Sequence, residues 1–114
     1  MADQVYHVEV VGKDGPALQQ FFSELFGWHF DVVPSGYGFV AREEAGVAVG
    51  VGKAEDGSAG WVTAYVNVPD IDATLARVTE LGGRIVAPKF SPAPGAVLGL
   101  FTDPEGHLVG LTEV

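Results

Sequence analysis

The sequence predicts an α+β fold of two tandem β-α-β-β-β modules whose eight strands form an open, barrel-like cavity. Three observations carry that expectation. The chain has 114 residues, 47% of them hydrophobic and 18% charged, which suits one domain at about 100–200 residues per domain and leaves a core to bury. Hydrophobic spacing passes from strand-like to helical and back, and does so twice. A shift of 56 residues lays Val10 on Val66, Asp14 on Asp70, Ala17 on Ala73, Glu24 on Glu80, Leu25 on Leu81 and Gly27 on Gly83.

The first module covers residues 1–52. Its opening strand, Val5–Val11, places Val5, His7, Glu9 and Val11 on one face and Tyr6, Val8 and Val10 on the other. Leu18, Phe21, Phe22, Leu25 and Phe26 then follow helical spacing. Asp14 suits the N-cap, Pro16 the first helical turn and Gly27 the left-handed stop. Strands are expected over Trp28–Val33, Tyr37–Arg42 and Val47–Val51, with turns at Pro34–Gly36 and Glu43–Gly46.

Residues 53–60 read as a small, polar linker, and residues 61–114 repeat the order. Trp61–Val68 is a strand. Ile71, Leu75, Val78 and Leu81 make a helical stripe that Gly82 and Gly83 stop. Arg84–Phe90, Val97–Thr102 and Leu108–Thr112 are strands, with a loop at Pro92–Gly95 over the cavity mouth and a tight turn at Asp103–Gly106.

Charge excludes partners. Six Lys and Arg against fifteen Asp and Glu give −9, so neither nucleic acid nor an anionic membrane surface is an expected partner. No hydrophobic run approaches the roughly 20 residues of a membrane-spanning helix. The absence of cysteine rules out disulfides and thiolate chemistry in these residues. The start of the sequence has neither the basic nor the hydrophobic region of a secretory signal, so a cytoplasmic location is expected.

The pattern resembles the vicinal oxygen chelate superfamily of glyoxalases, bleomycin-resistance proteins and extradiol dioxygenases. Tyr6-His7-Val8-Glu9-Val10 and Phe21-Phe22-x-x-Leu25-Phe26-Gly27-Trp28 carry the likeness in the first half. Val68-Pro69-Asp70-Ile71-Asp72-Ala73, Leu81-Gly82-Gly83 and Phe101-x-Asp103-Pro104-Glu105-Gly106 carry it in the second. The resemblance implies a ligand cavity between the modules and a homodimer. It also implies a metal held by four residues, a His or Gln on the first strand and a Glu on the last strand of each module. His7 matches one of these positions. Thr63 stands at the second His position, Gly110 at the second Glu position, and Val47–Val51 contains no acidic residue. One imidazole does not hold such an ion, so the expectation is no metal and no other cofactor.

The expected function is therefore small-molecule binding, with His7, Glu9, Phe39, Trp61, Thr63, Tyr65, Asn67 and Phe101 as ligand-binding residues and no assigned catalytic residue. Tyr37 enters as a further aromatic wall. The alternative is a metal-dependent enzyme of the glyoxalase or dioxygenase type, using His7 with a divalent metal and a non-standard ligand set. Its reaction would be that of a lyase, isomerase or dioxygenase. Trp28 reads as a packing residue, and Asp103, Glu105 and His107 read as turn chemistry.

Overall fold

A computed structural model describes residues 2–114. Hydrogen bonding orders its strands β2-β3-β4-β1-β5-β8-β7-β6, a mixed sheet whose order is linear and does not close. The strands are β1 (Gln4–Gly12), β2 (Asp31–Val32), β3 (Gly38–Val40), β4 (Ala48–Lys53), β5 (Trp61–Asn67), β6 (Arg84–Ala93), β7 (Ala96–Thr102) and β8 (Leu108–Thr112). The helices are α1 (Gly15–Phe26), α2 (Arg42–Ala45) and α3 (Ile71–Glu80). The chain divides into two compact units, one of His7–Val62 and the other of Thr63–Val114 together with the residues up to Tyr6.

In the unit His7–Val62, β1 runs parallel to β4, which pairs antiparallel with β3 and β3 with β2. Asp14 caps α1 by accepting from the Ala17 N–H at 3.0 Å, and Gly27 ends it at φ 74°. The core lies between α1 and one sheet face, where Val40, Val49 and Val51 are buried against Val10, Leu18, Phe22, Trp28 and Phe30. Of the expected α1 stripe, Leu18 and Phe22 reach this cluster, whereas Phe21, Leu25 and Phe26 are more than half exposed. Gln19 goes inside instead, only 8% exposed. Its amide donates to the carbonyls of Gly36 (2.9 Å) and Val51 (2.8 Å), so its polar end is satisfied there.

Three local expectations are corrected here. The strand expected over Trp28–Val33 shrinks to Asp31–Val32, because Trp28 and Phe30 turn into the core and the His29 N–H is taken by the Glu44 carboxylate. The strand expected over Tyr37–Arg42 ends at Val40. The turn expected at Glu43–Gly46 is the short helix α2, formed as the Ala41 carbonyl accepts from the Glu44 and Ala45 N–H groups.

The second unit repeats the scheme. β5 runs parallel to β8, which pairs antiparallel with β7 and β7 with β6. Asp70 caps α3 through the Ala73 N–H at 3.0 Å, in the role Asp14 has for α1. Ile71 and Leu75 bury against Val68 and Leu111, with Val66, Val97 and Phe101 around them. The left-handed stop is Gly82 at φ 95°, one residue before the position that matches Gly27. The expected loop at Pro92–Gly95 is corrected: β6 continues through Pro92 and Ala93, and the turn is confined to Pro94-Gly95. Proline fits because β6 is the terminal strand and needs hydrogen bonds on one side only. Register shifts recur along its pairing with β7.

The Gln19 amide generates a stability test. Gln19→Leu takes the donor from the buried Val51 carbonyl and from the half-buried Gly36 carbonyl, and the buried one carries a cost of about 1–3 kcal/mol. Urea denaturation is expected to show a loss of about 1–3 kcal/mol with an unchanged slope.

Candidate functional site

The sheet face of His7–Val62 that points away from α1 carries a cluster of polar and aromatic side chains that form the candidate site. Register sets the row: Glu9 on β1 pairs with Gly50 on β4, and Gly50 with Phe39 on β3, so all three share that face. His7 stands two residues from Glu9 on the same face. Tyr37, just before β3, folds over β4 and reaches both. Its hydroxyl donates to Glu9 Oε2 at 2.7 Å, and His7 Nε2 lies 3.3 Å from the Tyr37 hydroxyl oxygen. The hydroxyl has one proton, already directed at Glu9, so the imidazole is the donor and carries its proton on Nε2. Trp61 Nε1–H donates to Glu9 Oε1 at 3.0 Å. Two donors on two different oxygens fix the carboxylate plane. The Phe39 ring stands 4.8 Å from the Tyr37 ring in an edge-on arrangement and 6.3 Å from His7. Phe39 is 42% exposed.

Burial holds the His7 imidazole below the ordinary histidine value of 6.5, and the nearby Glu9 charge opposes that shift less strongly. His7 is therefore neutral at pH 7. Its position in the chain His7–Tyr37–Glu9 is that of a hydrogen-bond donor beside an anchored anion.

Tyr37 owes its place to glycine. A Cβ built on Gly50 would come 2.0 Å from the Tyr37 hydroxyl and 2.5 Å from its ring, and one on Gly52 would come 2.6 Å from the ring. Contacts that short do not occur, so the ring and a side chain at 50 exclude each other.

In the other unit, Thr63, Tyr65 and Asn67 share a face but are occupied by the fold. Thr63, 4% exposed, donates its hydroxyl to the Leu108 carbonyl at 2.6 Å. Asn67 Oδ1 accepts from the Thr112 hydroxyl (3.2 Å) and the Val114 N–H (3.0 Å), tying down the end of β8. Tyr65, also 4% exposed, lies over Gly110, where a Cβ would approach its ring to 2.4 Å. Phe101 is not brought together with these three. It lies on the opposite face, against the α3 cluster.

The two glycines are equivalent. Gly50 pairs with Glu9, and Gly110 pairs with Tyr65, which stands 56 residues beyond Glu9. Gly110, where the resemblance places an acidic metal ligand, and Gly50, its register equivalent on the strand that lacks any acidic residue, are thus glycines overlaid by a tyrosine ring. His29 pairs with Glu44 of α2, and His107 pairs with Asp103 in the turn between β7 and β8. Among the described residues, no three His, Cys, Asp or Glu side chains converge as an ion would require. The residues do not fit the superfamily's metal.

A model of the glyoxalase-like domain matches residues 7–112. The chain belongs to the glyoxalase-like domain family. Among curated proteins it is 33% identical over 113 residues to "Putative glyoxylase CFP32" of Mycobacterium bovis and of Mycobacterium tuberculosis, covering 91% of this chain. The chain spans 43% of the length of these relatives. Among solved structures, a hypothetical protein of Bacillus halodurans C-125 superimposes with a TM-score of 0.73 at 13% identity, over 100% of this chain and 96% of that one. A glyoxalase/bleomycin resistance protein/dioxygenase superfamily member from Vibrio splendidus 12B01 superimposes with a TM-score of 0.66 at 24% identity, over 99% and 100%. These likenesses establish the fold. No helix among the described residues of this glyoxalase-like chain is long and apolar enough to cross a membrane.

Two outcomes follow. Gly50→Ala is expected to displace Tyr37 and cost about 1–3 kcal/mol. In the Tyr37→Ala background the same change should cost far less, a coupling that a double-mutant cycle by urea denaturation measures. Because the folded His7 resists protonation, its effect on stability vanishes well above pH 6.5, where the imidazole is neutral in both states. It becomes a loss as pH falls below 6.5 and the unfolded imidazole takes up a proton first. The wild type should lose more stability than His7→Gln between neutral and mildly acid pH.

Proposed function

We propose that this glyoxalase-like domain binds a small organic ligand on the His7–Glu9–Tyr37–Phe39–Trp61 face, and that it does so without a metal or other cofactor. The observation that carries the reading is the Glu9 carboxylate, fixed by Tyr37 and Trp61 on an otherwise apolar and aromatic face. A few placed polar groups among hydrophobic walls are the ordinary make-up of a small-molecule site. The tyrosines over Gly50 and Gly110 support the absence of an ion, since they fill the space from which acidic ligands would project. Thr63, Tyr65 and Asn67 act as supporting structure in this reading, through the bonds they make within their own unit. The more than half exposed Phe21, Leu25 and Phe26 of α1 support a homodimer.

A thermal-shift screen with a charge-diverse set of small molecules, run beside Mn, Fe, Ni and Zn salts, tests the proposal. Organic ligands are expected to raise Tm, because binding to the native state alone stabilises it. Tyr37→Phe, which removes one anchor of Glu9, should shrink the shift. A transition metal retained at one equivalent through dialysis, and lost in His7→Ala, would favour the metal-dependent enzyme instead.

A further inference from the structure

We propose that a second cleft, within the unit of Thr63–Val114, binds an apolar α-amino acid in its zwitterionic form. The cleft lies where α3, the end of β7 and the segment leading into β1 meet, and its volume is about 510 Å³. Small-molecule sites commonly fall between about 300 and 1,000 Å³. It shares no residue with the His7–Glu9 face and is independent of what that face binds. Its apolar wall is the half of the α3 stripe that the core leaves uncovered. Ile71 and Leu75 are buried, whereas Val78 is half-buried and Leu81 is 62% exposed. Phe101 on β7 and Pro104 in the following turn complete this wall. Gly83 lets α3 and β7 approach closely beside it, since a Cβ there would come 2.7 Å from both the Val78 side chain and the Thr102 carbonyl.

The charged groups of the cleft narrow the class. They are Asp3, Arg77 and Asp103. Asp103 is committed to its own turn, where it accepts from the Glu105 and His107 N–H groups at 2.9 Å and pairs with the His107 imidazole. Arg77 bonds Glu80 at 3.2 Å with both side chains 64% exposed, a pairing that another carboxylate can replace at little cost. The Asp3 carboxylate is exposed and has no ion pair among the described residues. One cation and one anion are thus left to a ligand, beside an apolar wall. A simple acid would gain Arg77 but meet Asp3, and a simple amine would gain Asp3 but meet Arg77. A molecule carrying both charges and an apolar side chain answers all three, with its carboxylate on the guanidinium and its ammonium toward Asp3. Its side chain then covers Val78, Leu81 and Phe101.

Phenylalanine, 3-phenylpropanoate and 2-phenylethylamine share one body and differ by a single charged group, so they test the assignment. Two-dimensional NMR follows the backbone amides of Gly83 and Thr102, which line the cleft, with the Trp61 indole N–H as a control at the Glu9 cluster. Phenylalanine is expected to shift both amides to saturation and to leave the indole unmoved. The two singly charged compounds should bind at least about threefold more weakly. Arg77→Gln should bring phenylalanine down to the level of the amine, and Asp3→Asn to the level of the acid. Both residues are exposed, so the fold is expected to hold. Should Arg77→Gln fail to fold, Asp3→Asn and the comparison of the three compounds on the wild type still decide. If phenylalanine leaves both amides unmoved, or moves the Trp61 signal alone, the assignment is overturned. It is overturned equally if either singly charged compound binds as well as phenylalanine, or if Arg77→Gln keeps the full advantage.

Discussion

The missing side chains at Gly50 and Gly52 let the Tyr37 ring lie on β4, and the polar chemistry of the first unit follows from that contact. Tyr37 stands just before β3, at a point where its hydroxyl is carried over the sheet to meet Glu9 and His7. With Trp61 closing from the other direction, a flexible carboxylate becomes a fixed one. Its bonding cost is met inside the protein, which is the condition for a charged group to persist on an apolar face. A methyl group at position 50 would break the arrangement before any ligand is considered.

The second unit shows the same device with different parts. Tyr65 comes from the first strand of its module and covers Gly110, the partner of its own register position. Tyr37 comes from the strand region beyond the helix and covers Gly50. The two halves share the backbone frame and the glycine gap, and they fill the gap by separate routes. One half kept an anchored acid as a result. The other became a buried wall held by Thr63 and Asn67.

Much of the frame was legible in the residues. Asp14 was readable as a cap because a short acceptor before a helical stripe has little else to do, and it caps as expected, while Asp70, which the 56-residue shift lays on it, caps α3 in the same way. Failures fell where tertiary contacts overrode local pattern. Trp28–Val33 alternates like a strand, yet its aromatic residues are drawn into the helix-side core. Glu43–Gly46 looks like a turn, yet one carbonyl and Gly46 suffice for a helical turn. The site was half legible. His7 and Glu9 announced themselves by sharing a strand face, whereas the hydroxyl of Tyr37 lies 28 residues from Glu9 in sequence and its role depends on folding. The signal that points to it is the alternation Gly50-x-Gly52, two bare positions on one strand face, where a large ring must lie. Phe101 could be assigned to a face only from β7 register, since alternation alone does not say which side carries the helix.

The two ends of the strand order bear on how copies of this domain can meet. β2 presents just two residues, and β6 presents a backbone interrupted by Pro88 and Pro92, broken in register and carrying Lys89. Neither offers the long, regular row of donors and acceptors that a foreign strand would copy. Strand ends of this kind disfavour growth by strand addition from another chain.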